Sequence, residues 1–377
     1  MKKIQWIVIA LIIIIAVIAL FSHKKQETGP VKIGVATLLS GDYAVLGENI
    51  VNAAKLAAAE VNAKGGINGR PIELTIEDAG VDSKTGLSAA HKLIDIDGIR
   101  YIVGGMTSNG TIAAAQIANG SKAIIMTPVT GGSNVDNAGD YIFRTANSDI
   151  LAGRDLANGM LKLGYKNVAV VAEVTEYTAD IAETFKKTIV AGGGTVVSSE
   201  EFKSDTNDYR TLVSKIRETK PEALLVLSQT GTNAAKFIKQ SRELAFNPVI
   251  FTDFTFATND NAKKIVGSFE GIYFTDPAFD SAASSTKAFF ESYQKQYNIT
   301  PAIPFHAAAT YDDIMLFADA LRAVGDDSEN VKDWLLANVK GYQGLMGTYS
   351  LDEKGNSDLG FTLRVIKGGK PVEIKVQ

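Results

Sequence analysis

Tyr101-Ile102-Val103-Gly104-Gly105-Met106-Thr107-Ser108-Asn109-Gly110-Thr111 runs directly into Ile112-Ala113-Ala114-Ala115-Gln116-Ile117-Ala118. A short apolar run ends in two glycines, a hydroxyl-rich turn follows, and an alanine-rich helix begins. The pattern is a strand, a tight loop and a helix N-terminus aimed at whatever lies in front of the sheet. The first-turn amides of such a helix have no partners inside it, and its dipole favours negative charge there. Ser108 or Asn109 can cap the helix; a free hydroxyl beside open amides can equally hold a carboxylate. One strand–helix unit later stands a second hydroxyl loop, Met126-Thr127-Pro128-Val129-Thr130-Gly131-Gly132-Ser133. Two such loops at the carboxyl ends of successive strands make a small-ligand crevice.

Outward from this stretch the same alternation continues. Upstream, residues 31–37 and 71–78 read as strands, and residues 49–62 and 83–95 as helices, the first stopping at Gly65-Gly66. Downstream, 123–126 is a strand. Strand–helix units with short loops predict a parallel sheet covered by helices on both faces. After Tyr141-Ile142-Phe143-Arg144 the rhythm restarts, with strands at 168–171, 195–197, 223–227 and 249–251 separated by helical patterns, which predicts a second doubly wound lobe. Near Tyr273-Phe274-Thr275-Asp276-Pro277 the alternation breaks. Three helical patterns follow, at 285–297, 307–324 and 331–339, before a return to strand at 349–351 and 361–366.

Composition removes several classes of function. A formal net charge of −4 leaves no electrostatic footprint for nucleic acid, and the absence of cysteine excludes disulfides, thiol catalysis and thiolate metal sites. Three histidines (His23, His91 and His306) are too scattered for a metal cage, and His91 and His306 read as structural or surface residues. No Gly-x-Ser-x-Gly elbow, His-Glu-x-x-His helix or Gly-x-Gly-x-x-Gly fingerprint occurs, so neither an enzyme nor a cofactor is expected. The adjacent pairs Asp312-Asp313 and Asp326-Asp327 read as solvated surface, because neighbouring helical residues point apart. At the front, Met1-Lys2-Lys3 precedes an almost wholly apolar run from Ile4 to Phe21, just long enough to span a bilayer and without a small-x-small cleavage site. Residues 1–30 are therefore expected to be a signal or anchor segment with a short linker, left uncleaved, and the rest of the chain to lie outside the cytoplasm.

Several motifs together resemble the type I periplasmic binding proteins, specifically the branched-chain amino-acid (leucine/isoleucine/valine) family of ABC importers. They are Leu39-Ser40-Gly41, Glu60-Val61-Asn62-Ala63-Lys64-Gly65-Gly66-Ile67-Asn68-Gly69-Arg70, Tyr101-Ile102-Val103-Gly104-Gly105, Thr127-Pro128, Phe143-Arg144-Thr145 and Gly347-Thr348-Tyr349-Ser350-Leu351-Asp352-Glu353-Lys354-Gly355. The resemblance covers essentially everything from Val31 onward. It implies an α/β fold of two doubly wound parallel-sheet lobes joined by a three-segment hinge, with lobe 1 formed by 31–144 and 276–347 and lobe 2 by 145–275 and 348–377. The crossings would fall near Arg144-Thr145, Thr275–Pro277 and Gly347–Tyr349. It also implies a small-molecule ligand, an amino acid or small carboxylate, passed to an ABC permease in the membrane.

By the same resemblance Ser108 and Thr130 hold the ligand's α-carboxylate, backbone amides at Val129 and Thr130 assist, and Tyr177 covers the ligand. The chain departs from the family elsewhere. Asp253, within Thr252-Asp253-Phe254-Thr255-Phe256, is the only carboxylate near the place of the acidic residue that receives the ligand's ammonium. Thr230 stands where an aromatic is expected, and Leu46 where a tyrosine is expected, with Tyr43 earlier. Thr255 and one of Phe254 and Phe256 fall beside the pocket, the other phenylalanine being strand-edge core. The carboxylate half is thus kept, and the site admits either an amino acid or a hydrophobic or aromatic carboxylate without an amino group. A ligand-sensing module of the same fold is the other reading.

Overall fold

The computed structural model describes residues 29–374 apart from Thr258 and Asp358; the apolar run at 4–21, its reading as an anchor, and His23 lie outside the described residues. Among the described residues no helix is long and apolar enough to cross a membrane. Strands β1 (Val31–Thr37), β2 (Ile72–Asp78), β3 (Tyr101–Gly105), β4 (Ile124–Thr127) and β5 (Ile142–Arg144) form a parallel sheet in the order β2-β1-β3-β4-β5. Central β3 is buried throughout, as a strand covered on both faces must be, whereas edge strand β2 is only half-buried along most of its length. Helix α1 (Ala44–Ala63) lies over one face through Ile50, Ala53, Ala54, Ala57 and Val61, whose helical spacing makes a single apolar stripe. Helices α2 (Ser83–His91) and α3 (Ser108–Ser121) cover the other.

The second sheet repeats this plan with β6 (Asn167–Glu173), β7 (Thr195–Phe202), β8 (Ala223–Leu227), β9 (Val249–Asp253) and β10 (Tyr273–Pro277), in the order β10-β9-β8-β6-β7. Helices α4 (Asp149–Lys162) and α5 (Glu176–Ala191) build one face, while α6 (Arg210–Glu218), α7 (Thr232–Glu243), the single turn α8 (Phe254–Ala257) and α9 (Asp260–Val266) build the other. The chain then returns to the first sheet with α10 (Ser284–Tyr297), α11 (Pro304–Val324) and α12 (Ser328–Asn338), whose apolar residues join the core under α1. A hairpin of β11 (Tyr342–Gly344) and β12 (Gly347–Tyr349) follows, and β13 (Phe361–Lys367) and β14 (Lys370–Glu373) complete the second sheet antiparallel beyond β10.

Three segments pass between the sheets and lie against one another. Arg144 bridges Asn356, the Ser357 hydroxyl donates to the carbonyls of Thr145 and Ala146 at 3.2 Å, and the amide of Ala278 donates to Gly360 at 2.8 Å. The third passage therefore falls at Asn356–Gly360, beyond the Gly347–Tyr349 the sequence suggests. The reason is that Gly347–Tyr349 is the return strand of the hairpin, and Tyr349 and Leu351 are buried in the first core.

Of the acidic pairs, Asp312-Asp313 is not solvated surface, Asp326 is partly buried and Asp327 is exposed as read. Asp312 and Asp313 are buried, because α11 is enclosed around most of its circumference. Asp312 accepts hydrogen bonds from the amides of Leu345 (2.8 Å) and Met346 (3.1 Å), pinning the β11–β12 hairpin to the helix. Asp326 pairs with Arg70 at 2.5 Å, and Asp327 caps α12 by accepting from the Asn330 amide at 3.0 Å.

Candidate ligand-binding site

In each sheet the strand order reverses at one point, between β1 and β3 in the first and between β6 and β8 in the second. At such a point the loops leaving adjacent strands diverge to opposite faces and open a crevice at the carboxyl ends. The two crevices face each other and enclose a cleft of about 360 Å³. From the first lobe come Leu38, Tyr43, Leu46, Met106, Ser108, Val129 and Thr130, with Ile303 and His306 from the return helices; from the second come Tyr177, Gln229, Thr230, Phe254 and Thr255.

Thr107, not Ser108 or Asn109, caps α3: its side chain accepts from the Gly110 amide at 3.2 Å. Ser108 is the first helical residue and lines the cleft. The neighbouring loop can reach it only because Gly131 and Gly132 lack side chains. A Cβ on Gly132 would lie 2.7 Å from Ser108 Oγ, and one on Gly131 would lie 2.2 Å from Asp149 Oδ1. A hydroxyl at an open helix N-terminus, with glycine backbone beside it, suits a carboxylate.

Thr130 lines the cleft but is already engaged. Its hydroxyl donates to the Met106 carbonyl at 2.9 Å and sits 2.8 Å from the Thr111 hydroxyl, while its amide donates to Thr127 Oγ1 at 3.1 Å. With its own proton given to Met106, Thr130 Oγ1 takes the Thr111 proton as acceptor. Thr130 thus fixes the loop on which Val129 is presented and offers a ligand only a lone pair.

On the opposite wall the hydroxyl of Tyr177 is buried without a hydrogen-bond partner among the described residues, as are Asp253 Oδ2 and Asp149 Oδ2. Burial pushes the Tyr177 hydroxyl well up, and the nearby Asp253 and Asp149 add to this. Asp253, at the end of β9, is not itself part of the cleft wall. Its Oδ1 accepts from the Thr255 amide at 2.8 Å and the Thr255 hydroxyl at 2.5 Å, so Thr255 in the wall is held by Asp253 behind it. Burial raises the Asp253 carboxyl to about 6, with the bonds from Thr255 opposing the rise. Asp149 is likewise pushed well up by burial, opposed by Arg144. Its place beside the pocket was not legible in sequence, since it arrives on the far side of the first crossing.

Thr230 lines the cleft, and its hydroxyl accepts from the Thr232 amide at 3.3 Å. Phe254 faces the cleft, while Phe256, in the turn α8, is buried in the second core. Tyr43, placed too early for the family's tyrosine, nonetheless reaches the cleft, and Leu46 lines it as well. His306 departs from the reading as an ordinary structural histidine. It stands in the cleft wall, buried, with Nδ1 2.8 Å from the Pro128 carbonyl oxygen and its ring against Phe254 at 5.3 Å. No local signal marks it; only the return of α11 to the first lobe brings it there. His91, by contrast, is an exposed partner of Asp95 at 2.7 Å.

Known proteins are similar to this chain in sequence and fold. The Leu/Ile/Val-binding protein BraC3 of Rhizobium johnstonii is 31% identical over 222 residues, and the chain spans 60% of that relative's length in the alignment, using 58% of its own. The branched-chain amino acid transporter substrate-binding protein LivJ from Streptococcus pneumoniae, solved with isoleucine, superposes with a TM-score of 0.81 at 25% identity, over 92% of this chain and 100% of that one. An ABC-transporter solute-binding protein from R. palustris, solved with benzoate, gives a TM-score of 0.79 at 25% identity, over 92% of this chain and 96% of its own. The sequence profile described as periplasmic binding protein matches residues 30–369, a span that includes the first sheet, the second sheet up to β13, every crossing and the whole cleft wall. The chain belongs to the periplasmic binding protein family.

Proposed function

We propose that the protein is the extracytoplasmic substrate-binding component of an ABC importer, capturing a hydrophobic amino acid between its lobes and handing it to the permease, with no catalytic step. The observation that carries this reading is the uncapped Ser108 hydroxyl at the N-terminus of α3, facing Tyr177 across one enclosed cleft. The first donates to a carboxylate; the Tyr177 hydroxyl oxygen offers an ammonium a lone pair, and the nearby Asp253 adds negative charge above about pH 6. Residues 31–144 with the return helices act as one body and the second sheet with its helices as the other, and the three adjacent passages form the hinge. A ligand that touches both bodies favours closure by its higher affinity for the closed state.

The tether belongs to the same proposal: the apolar run at 4–21 holds the protein at the outer face of the membrane. The full chain then sediments with membranes, while a chain beginning near Thr28 stays soluble and folded. Mature protein free in solution with a new N-terminus after Phe21 defeats the tether without touching the binding function.

A second reading has its own support. Asp253 lies behind the wall, and its carboxyl is raised to about 6, which weakens the ammonium half. A carboxylate without an amino group then fits the same Ser108 end. Calorimetric titration with leucine, isoleucine and valine beside benzoate and 4-methylpentanoate decides between them. Binding of the amino acids alone supports the first reading, binding of the deaminated acids alone supports the second, and no binding by any of them sinks both.

A further inference from the structure

Where α11 meets the cleft, beside the Pro128–Thr130 loop, the wall is made by Ile303, Phe254 and His306. Ile303 and Phe254 flank His306, whose ring is 3% exposed. Its Nδ1 lies 2.8 Å from the carbonyl oxygen of Pro128. A carbonyl only accepts, so Nδ1 carries the hydrogen. Burial holds the ring's affinity for a second proton down, to a pKa of about 4, so the imidazole is neutral at physiological pH. In that tautomer Nε2 is a bare lone pair. It is buried and has no hydrogen-bond partner among the described residues.

An acceptor in this position discriminates between ligands. A purely aliphatic or phenyl side chain packed against Nε2 leaves its lone pair unsatisfied. A ligand whose apolar body ends in a hydroxyl or N–H makes the bond and leaves nothing unsatisfied. Resting on the proposed function of the cleft as a small-carboxylate site, we infer that His306 is a specificity-determining residue that selects carboxylates carrying a hydrogen-bond donor on an otherwise hydrophobic side chain. The Pro128 carbonyl is the positioning group, because it fixes which nitrogen is the acceptor.

The test uses matched pairs that differ by one hydroxyl: phenylalanine and tyrosine, valine and threonine, benzoate and 4-hydroxybenzoate. Calorimetric titration of the wild-type protein is expected to favour the hydroxylated member of at least one pair by about tenfold or more. In His306→Phe, which keeps an aromatic ring but removes the acceptor, that preference is expected to vanish or reverse. A 15N spectrum of the wild-type imidazole serves independently of the variant's folding. It should show a non-protonated Nε2 whose resonance moves on adding the hydroxylated ligand and not its deoxy partner. Equal affinity within every pair, a preference for the deoxy members, or a protonated Nε2 in the free protein overturns the inference while leaving the cleft's function intact. Failure of all six compounds to bind the folded protein instead overturns the small-carboxylate reading, and this inference with it.

Discussion

The hydroxyl of Tyr43 donates a hydrogen bond to the backbone carbonyl oxygen of Gln229 at 3.0 Å, tying the loop after β1 to the loop after β8 across the cleft. Two further contacts join the lobes beside the first crossing. Asp180 accepts from the amide and hydroxyl of Ser133 at 2.6 and 2.8 Å, and Asn134 donates to Glu176 at 2.7 Å. All three join the facing rims of the two lobes, Asp180 and Glu176 from the N-terminal part of α5, where the lobes part in the proposed hinge opening. The closed arrangement therefore carries protein–protein bonds of its own, which lowers the differential affinity a ligand must supply.

Tyr43→Phe removes one neutral hydrogen bond from the closed form only. Such a bond is worth roughly 0.5–1.5 kcal/mol, so ligand affinity should fall about two- to tenfold while the urea midpoint stays put. Calorimetry gives the affinity, and small-angle scattering of the free protein should show a larger mean radius in the variant. Unchanged affinity would mean that the bond persists when the cleft opens.

Ser108 and Thr107 make a paired test of ligand contact against helix cap. Ser108→Ala should lower affinity about ten- to a hundredfold through loss of a charge-assisted bond, with stability intact. Thr107→Ala should do the converse, costing about 1 kcal/mol of stability through loss of the cap. Titration and urea unfolding of both variants measure the split, and a Ser108→Ala protein that is destabilised yet binds normally would return Ser108 to a structural role.

Asp253 gives a pH dependence with a definite sign. Its carboxyl is raised to about 6, so the charge that would stabilise a ligand ammonium is lost as pH falls through that value. Amino-acid affinity should therefore decline between about pH 7 and pH 5, and Asp253→Asn should flatten the profile. A deaminated carboxylate should show no such decline. A flat wild-type profile with an amino acid would show that the ammonium does not sense this carboxyl.

Asp312 provides the stability counterpart. Burial raises its carboxyl to about 7 against the pull of the Leu345 and Met346 amides, so the folded state binds the proton more tightly than the unfolded one. Its contribution to stability is full below about pH 4 and is lost as pH rises through 7. Asp312→Ala leaves two buried amides without an acceptor, at about 1–3 kcal/mol each. The loss in urea unfolding should be greater at pH 5 than at pH 8, with ligand affinity nearly unchanged.

Local sequence determined the repeating part of this protein. Apolar runs of strand length, ended by glycine or hydroxyl residues and followed by alanine-rich helical spacing, specify strand–loop–helix units, because backbone pairing and burial of one helix face are near-neighbour effects. The Ser108 and Thr130 loops follow from that register, Tyr177 only from the family resemblance, and all three line the cleft. Tertiary structure decided what depends on residues distant in the chain. The return of α11 buries Asp312 and Asp313 and brings His306 to the cleft, and its Nδ1 meets the Pro128 carbonyl 178 positions away. Whether Thr130 gives its proton to a ligand or to Met106 is fixed only by the approach of two loops. Hydrogen-bond saturation and desolvation are properties of an assembled environment, so neither is encoded in any single stretch of the chain.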